Sequence, residues 1–398
     1  MKNHLYNYNY IIIFLLIFII FFDPIIYAQE VDPAGEEDII LNQLEKLNLD
    51  DLQNEVNKIN NQVSDYLPEI GIREIIIGFF KGELEINWLD IGKLIIQYLG
   101  KEVTANLEML GQIIILTVIS AVLRIFHQSF SSKTIGQTAN TLIFLVIAVL
   151  ILQAFYLAVQ IGINTIDSMV SFMQALLPIL LSLLVSMGAF SSAAIFSPIT
   201  FVIITVLSST IKYIVFPMLF ISAVLSIVTR INENFSLSRL SGLFKEISMG
   251  MLGLIMMLFI GGLLLQGGAA AISDSLTLRT AKYLTGTFVP VIGGIFSDAV
   301  DLMVSCSLII KNALNFFGML IIIVIIAYPM IKLIALIFIY KLASAIIQPV
   351  ADSRLVDIIN DTGNSLIMVF LVVGGVSIMF FIVLTIIVGT ANLTVMMR

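Results

Sequence analysis

Hydrophobic and polar positions divide this chain into three stretches. Residues 10–22 form one uninterrupted apolar run, closed by Asp23 and Pro24. The run is shorter than the roughly 17–25 residues of a membrane-spanning helix. It follows a start whose one basic side chain is Lys2 and leads to Ala28. We expect 1–28 to be a cleaved signal peptide, with an uncleaved anchor as the alternative. Residues 29–108 alternate polar and apolar at helical spacing. Leu52, Val56, Ile59, Val63 and Tyr66 recur at intervals of four and three, on one helical stripe that Pro68 closes. Trp88, Ile91, Ile95 and Tyr98 repeat the pattern, with Asn87 as the expected cap and Asp90 in the first turn. This stretch reads as an amphipathic helical domain on the extracytoplasmic side, packed on itself, on the membrane surface or on partner helices. Trp88, the single tryptophan, suits an interfacial position.

From residue 109 to 398 the pattern is that of a polytopic membrane domain. Apolar segments at roughly 110–127, 140–161, 169–188, 193–211, 213–230, 247–271, 312–331, 333–349 and 365–389 predict an all-α fold. The expectation is about 8–10 transmembrane helices. Basic loops mark the cytoplasmic face: Arg124 with Lys133, then Arg230, Arg239 and Lys245 against Glu233 and Glu246. Residues 29–108, Asp167 and Asp274 then lie outside. An internal repeat at an offset of about 112 residues is also expected, as in many transporters. Pro178 and Pro290 are that far apart, as are Pro217 and Pro329, and Leu142 with Ile143 matches Leu254 with Ile255 and Leu366 with Ile367. Pro178, Pro217, Pro290 and Pro329, with Gly293 and Gly294, are the expected helix breaks.

Residues 273–311 are too polar for an ordinary span. One reading makes them a broken or re-entrant element in which Arg279, Lys282, Asp298 and Asp301 line a polar path, because irregular backbone at membrane depth belongs beside a watery cavity. The other makes them an external hairpin with solvated charges. The two readings put the C-terminus on opposite faces. Lys212, Lys332 and Lys341 are expected to snorkel to interfaces or to mark helical hairpins. Gly261, Gly262, Gly267, Gly268 and Ala271 are expected to allow close helix packing.

Composition sharpens this picture. The chain is 59% hydrophobic and 12% charged, against about 25% charged for a soluble domain. Residues 29–108 hold 17 acidic and 6 basic side chains, residues 109–398 hold 9 and 13. An acidic domain therefore precedes a slightly basic membrane region, and nucleic acid is not an expected partner. Cys306 is the single cysteine, and His4 and His127 are the two histidines, so no metal site and no disulfide are expected. Nucleotide-binding and hydrolase motifs are missing. No catalytic residue, no cofactor and no enzyme activity is expected.

With these residues in view, the chain resembles the stage III sporulation protein AE family of endospore-forming bacteria. The strings that carry the resemblance are FPMLFISAVLSIV (216–228), TLRTAKYLTGTFVPVIGGIFSDAVD (277–301), IYKLASAIIQP (339–349) and TANLTVMMR (390–398). Phe80, Lys81, Gly82 and Glu83, with Trp88 and Leu89, add to them. The resemblance implies a non-enzymatic subunit of a secretion or feeding channel in the mother-cell membrane around the forespore. It implies ring-forming proteins, small membrane subunits and a secretion-type ATPase as partners, besides membrane lipid. The residues alone leave two other classes open: a secondary transporter of small solutes, and a membrane scaffold that recruits channel subunits.

Overall fold

The computed structural model describes residue 47 and residues 49–63, 71–81, 88–129, 133–231, 237–288 and 292–396. The regular elements among them are all helices. They are α1 (Asp50–Val63), α2 (Ile72–Lys81), α3 (Trp88–Ala105), α4 (Leu107–Ser129), α5 (Lys133–Ser186), α6 (Phe190–Thr210), α7 (Phe216–Ile231), α8 (Ser238–Phe288), α9 (Ile292–Ile347) and α10 (Ser353–Met396). One π-helical turn, Ile211–Val215, joins α6 to α7. The residues expected to form the signal peptide lie outside those described.

The amphipathic stripe of 50–63 forms α1 as its spacing predicts. Leu52, Val56 and Ile59 are buried, while Gln53, Asn54, Asn57 and Lys58 face outward. Asp50 and Asp51 occupy the first turn, where carboxylates complement the helix dipole. Ile72 and Ile76 of α2 join the same core.

The membrane region is all-α and polytopic, but with fewer and longer helices than expected. Among the described residues five stretches are long and apolar enough to cross a membrane: Leu142–Ser186, Thr200–Arg230, Ser238–Asp274, Val304–Ile347 and Ser353–Ile387. A sixth is counted if Gly92–Ala105 and Leu107–Val122, bent by 41°, form one span. The larger expected number takes 162–168, Lys212 and Lys332 as joints between helices. The backbone runs helically through all three. Charged and polar side chains cost a helix interior roughly 0.7 kcal/mol at most. A turn opened in apolar surroundings leaves backbone groups unsatisfied at several kcal/mol each. The helix wins.

The prolines are corrected for the same reason. Pro178 and Pro329 lie inside α5 and α9 and break neither. Pro198 likewise sits within α6. Pro217 does perturb its surroundings. It follows the π-turn, in which the Phe216 N–H donates to the Ile211 carbonyl. That looser pitch accommodates a ring that would otherwise meet the carbonyl four residues back. Pro290 lies outside the described residues, between α8 and α9, and Gly293 and Gly294 fall in the first turn of α9.

The long helices run alternately up and down around α10, whose apolar window is 72% buried against 22% for α8. Glycine sets the closest approaches, at positions the sequence did not single out. A Cβ on Gly162 would stand 2.7 Å from Phe216 Cζ and 3.1 Å from Val373 Cγ2. One on Gly318 would stand 2.5 Å from Leu176 Cδ2. These contacts place α5, α7, α9 and α10 in register. Gly261 and Gly262 behave otherwise, since a Cβ on either meets nothing within 4 Å. Close packing inside the chain is therefore not their role. The side chain of Ala271, and the surroundings of Gly268, lie outside the described residues, and Gly267 is buried.

Gly162→Ala is expected to destabilise the protein by about 1–3 kcal/mol, because the ring of Phe216 is enclosed and must shift. Gly261→Ala is expected to leave stability unchanged or raise it by up to about 1 kcal/mol, since alanine favours the helix. Unfolding of the two variants in detergent, followed by circular dichroism, checks the pair. Equal effects would contradict the packing described here.

Candidate functional site

Polar side chains inside the bundle gather at three levels. One end carries a network that joins four helices. Arg230, in the last turn of α7, donates from Nη1 to Asp357 Oδ2 at 2.7 Å and from Nη2 to Asp361 Oδ2 at 3.2 Å. Lys341 of α9 donates to Asn360 Oδ1 at 2.7 Å and Asn364 Oδ1 at 2.6 Å. Asp357, Asn360, Asp361 and Asn364 recur at three and four along α10, which gives it one polar face near its start. Lys245 of α8 and Lys341 both lie within electrostatic reach of Asp361. Beneath the network, Ser222 and Ser241 exchange hydrogen bonds with each other's carbonyls at 2.8 and 2.7 Å. Gly363 lets the Lys341 stem pass, with its Cε 3.2 Å from where a Cβ would stand. We call this end the rim.

The second level lies near the middle of the long helices. Lys212, carried on the π-turn, donates to Asp167 of α5. The pair is partly exposed, at 20% and 48% for the two side chains. Gln160 donates to Asn164 at 3.0 Å on the same helix, and Tyr213 is 74% exposed. On α9, Lys332 sits 5.7 Å from the ring centroid of Tyr328, which in turn meets the ring of Tyr98 at 5.2 Å. Lys212 and Lys332 thus mark no hairpins, whereas Lys341 bonds across the turn between α9 and α10.

The third level is the far end. Ala189 stands at the N-cap of α6 and makes no side-chain cap. Asp274 of α8 supplies one from a distant part of the chain. The N–H groups of Ser191 and Ser192 donate to its two carboxylate oxygens at 2.7 and 2.8 Å. Buried and doubly bonded, Asp274 does for α6 what a local aspartate does for most helices. Nearby on α9, Ser307, Lys311 and Asn315 recur at every fourth position and all are buried. The side-chain oxygens of Ser307, Asn312 and Asn315 have no hydrogen-bond partner among the described residues.

The residues of the expected polar path are placed by their backbone alone. Arg279 and Lys282 belong to the final part of α8, and Asp298 and Asp301 to the first part of α9. Their side chains lie outside the described residues. Backbone on both sides of 289–291 is helical, with 273–288 in α8 and 292–311 in α9. Sequence reasoning missed the rim network and the Asp274 cap. The signal for the first was the spacing of Asp357, Asn360, Asp361 and Asn364. No local signal marks the second. Among the described residues no group of three metal-ligating side chains comes together.

Comparison with known proteins agrees over most of the chain. The family model described as stage III sporulation protein AE matches residues 70–391. The stage III sporulation protein AE of Bacillus subtilis strain 168 is 37% identical over 342 residues, 86% of this chain and 86% of that protein. No solved structure matches.

Asp274→Ala is expected to destabilise the protein by about 1.5–3 kcal/mol, because two N–H groups lose a charged acceptor in a buried place. Asp274→Asn, which keeps one acceptor oxygen, should lose less. Thermal unfolding in detergent ranks the two, and equal losses would show that the carboxylate's charge contributes nothing. At the rim, Arg230→Asp should lower the yield of folded protein, and Arg230→Asp combined with Asp361→Arg should restore part of it. A double variant no better than the single would contradict the pairing.

Proposed function

The chain belongs to the stage III sporulation protein AE family, and from that premise we propose that it is a non-enzymatic membrane core subunit of a secretion or feeding channel. The channel joins mother cell and forespore and serves late sporulation. Its other members are ring-forming proteins, small membrane subunits and a secretion-type ATPase. The chain sits in the mother-cell membrane around the forespore, with 29–108 in the space between the membranes. The observation that carries this reading is the match across 70–391, joined to a bundle whose charges are used to tie helices together. Arg230, Asp357 and Asp361 bond one another, as do Lys212 and Asp167. Such a bundle is suited to hold a conduit's shape while partners supply energy. Arg279, Lys282, Asp298 and Asp301, at the α8–α9 junction, are the polar-path residues of this proposal.

Neutralising the four together, as Arg279→Gln, Lys282→Gln, Asp298→Asn and Asp301→Asn, is expected to cut heat-resistant spores at least 100-fold while membrane levels of the protein hold. Unchanged spore counts would remove the path and favour a scaffold. Purified protein alone in liposomes should move no small solutes. Saturable uptake by the chain alone would instead make it a secondary transporter.

A further inference from the structure

The apolar bundle is about twice as long as one bilayer is thick. Lys212 stands midway between Ser192, at the capped end of α6, and Arg230, at the end of α7. At a rise of 1.5 Å per residue the two parts are about 30 Å and about 27 Å long. Each equals one hydrocarbon core of about 30 Å. Helix α5 repeats the division, since Asp167 falls near the middle of its apolar stretch Leu142–Ser186. A length of about 57 Å fits a core of about 30 Å only at a tilt near 60°, beyond the roughly 0–40° that membrane helices adopt.

The middle level divides the two lengths. Gly318 of α9 lies against Leu176 of α5. Lys332 follows Gly318 by the same number of positions as Gly162 precedes Leu176, so Lys332 lies at the level of Gly162. The Asp167–Lys212 pair is about one turn away along α5. Gln160, Asn164, Asp167, Lys212, Tyr328 and Lys332 therefore form a polar waist. Lysine and tyrosine at one level of an apolar bundle are the usual markers of a membrane–water boundary.

The halves differ in what surrounds them. On α9, no residue from 306 to 333 is exposed, whereas Ile334, Phe338 and Ile346, on the rim side, are. The Tyr98–Tyr328 and Met109–Tyr340 contacts show that α3 and α4 run from the waist towards the rim. The preceding α2 and α1 pack on α9, and α1 also on α5. The outer face of α1 is Asp50, Asp51, Gln53, Asn54, Asn57 and Lys58, a face for water and not for lipid. The far half also holds side-chain oxygens of Ser307, Asn312 and Asn315 that have no hydrogen-bond partner among the described residues. The rim half bares Leu145, Val149, Leu157, Ile221, Val228 and Phe338. The far half bares Val185 of α5, Phe190, Val202 and Val206 of α6, and Leu264, Leu265, Ile272 and Leu276 of α8. Exposed apolar surface alone therefore does not choose between the halves. The polar outer face of α1 does.

We propose that the bilayer embraces only the half of the bundle between waist and rim, and that the other half stands clear of the lipid, sheathed in part by α1 and α2. The waist is then one membrane surface and Arg230 marks the other, with Lys341, nine positions from Lys332, reaching up towards it from inside the bilayer. This placement does not rest on the channel reading, but it sets 98–108 in the bilayer and the α8–α9 junction beyond it.

The test uses the full chain with Cys306→Ala, in single-cysteine variants at exposed positions. Val149→Cys and Ile221→Cys probe the rim half, and Val202→Cys and Leu265→Cys the far half. Each is labelled with bimane and reconstituted in phosphatidylcholine vesicles with brominated acyl chains. Bimane at 149 and 221 should lose more than half its emission relative to unbrominated vesicles, and bimane at 202 and 265 less than a tenth. Equal quenching in both halves would overturn the proposal, as would quenching of the far half alone. Circular dichroism and gel filtration confirm that each variant is folded. A membrane-impermeant thiol reagent added to the unlabelled vesicles gives a second readout. Residues 202 and 265 should react and residues 149 and 221 stay silent, and the reverse would also overturn it.

Discussion

A charge enclosed by apolar helices must be met by another polar group before those helices can close, and in this protein the meeting places set the register of the bundle. Arg230 ties the end of α7 to the start of α10, Lys341 ties α9 to the same turns, and Asp274 ties α8 to the start of α6. Exposed ion pairs in water contribute about 0–1 kcal/mol, so these bonds are not the main source of stability. Their effect is to make alternatives costly. Sliding α8 past α6 would strip the buried Asp274 carboxylate of both its donors, at a cost of several kcal/mol, whereas the partly exposed Arg230 pairs cost less to part. Apolar side chains alone tolerate such a slide more readily.

Steric matching then refines what the polar groups have set. Gly162 admits Phe216 and Val373 at one level, and Gly318 admits Leu176 at another. Close to the first of these lies the π-turn, which brings Lys212 to Asp167 and makes room for Pro217. One local widening therefore serves two ends. It relieves a ring that an α-helical turn would crowd, and it rotates a lysine towards its partner. Helix α8 stands apart, because a Cβ on Gly261 or Gly262 would meet nothing within 4 Å and only 22% of its most apolar stretch is buried.

The sequence was informative about what is apolar and silent about what is continuous. Each apolar segment between 140 and 389 lies in a long helix, and the stripe of Leu52, Val56 and Ile59 is buried as its spacing required. Joints were misplaced because Asp167, Lys212 and Lys332 resemble loop residues when read one at a time. Whether a charge ends a helix depends on a partner from another helix, and Lys212 finds Asp167 45 positions away. The Asp274 cap is hidden for the same reason. Glycines misled in the other direction. A glycine-rich stretch announces that close approach is possible, but the neighbour decides where it happens, and Gly162 and Gly318 are solitary in their surroundings.

The rim also resolves a conflict in the charge pattern. Counting charges puts the acidic stretch 352–361 on the face opposite the basic stretch around Arg230, Arg239 and Lys245. The internal offset that matches Pro178 to Pro290 prefers the reverse. Arg230 bonds Asp357 and Asp361 directly, so the end of α7, the start of α8 and the α9–α10 turn share one face. Because α10 then runs the length of the bundle, its C-terminal end lies towards the other. Basic residues, far more than acidic ones, govern which loops stay inside, so an acidic turn beside a basic one violates no rule. Its carboxylates are the counter-charges of the arginine and lysines that converge there.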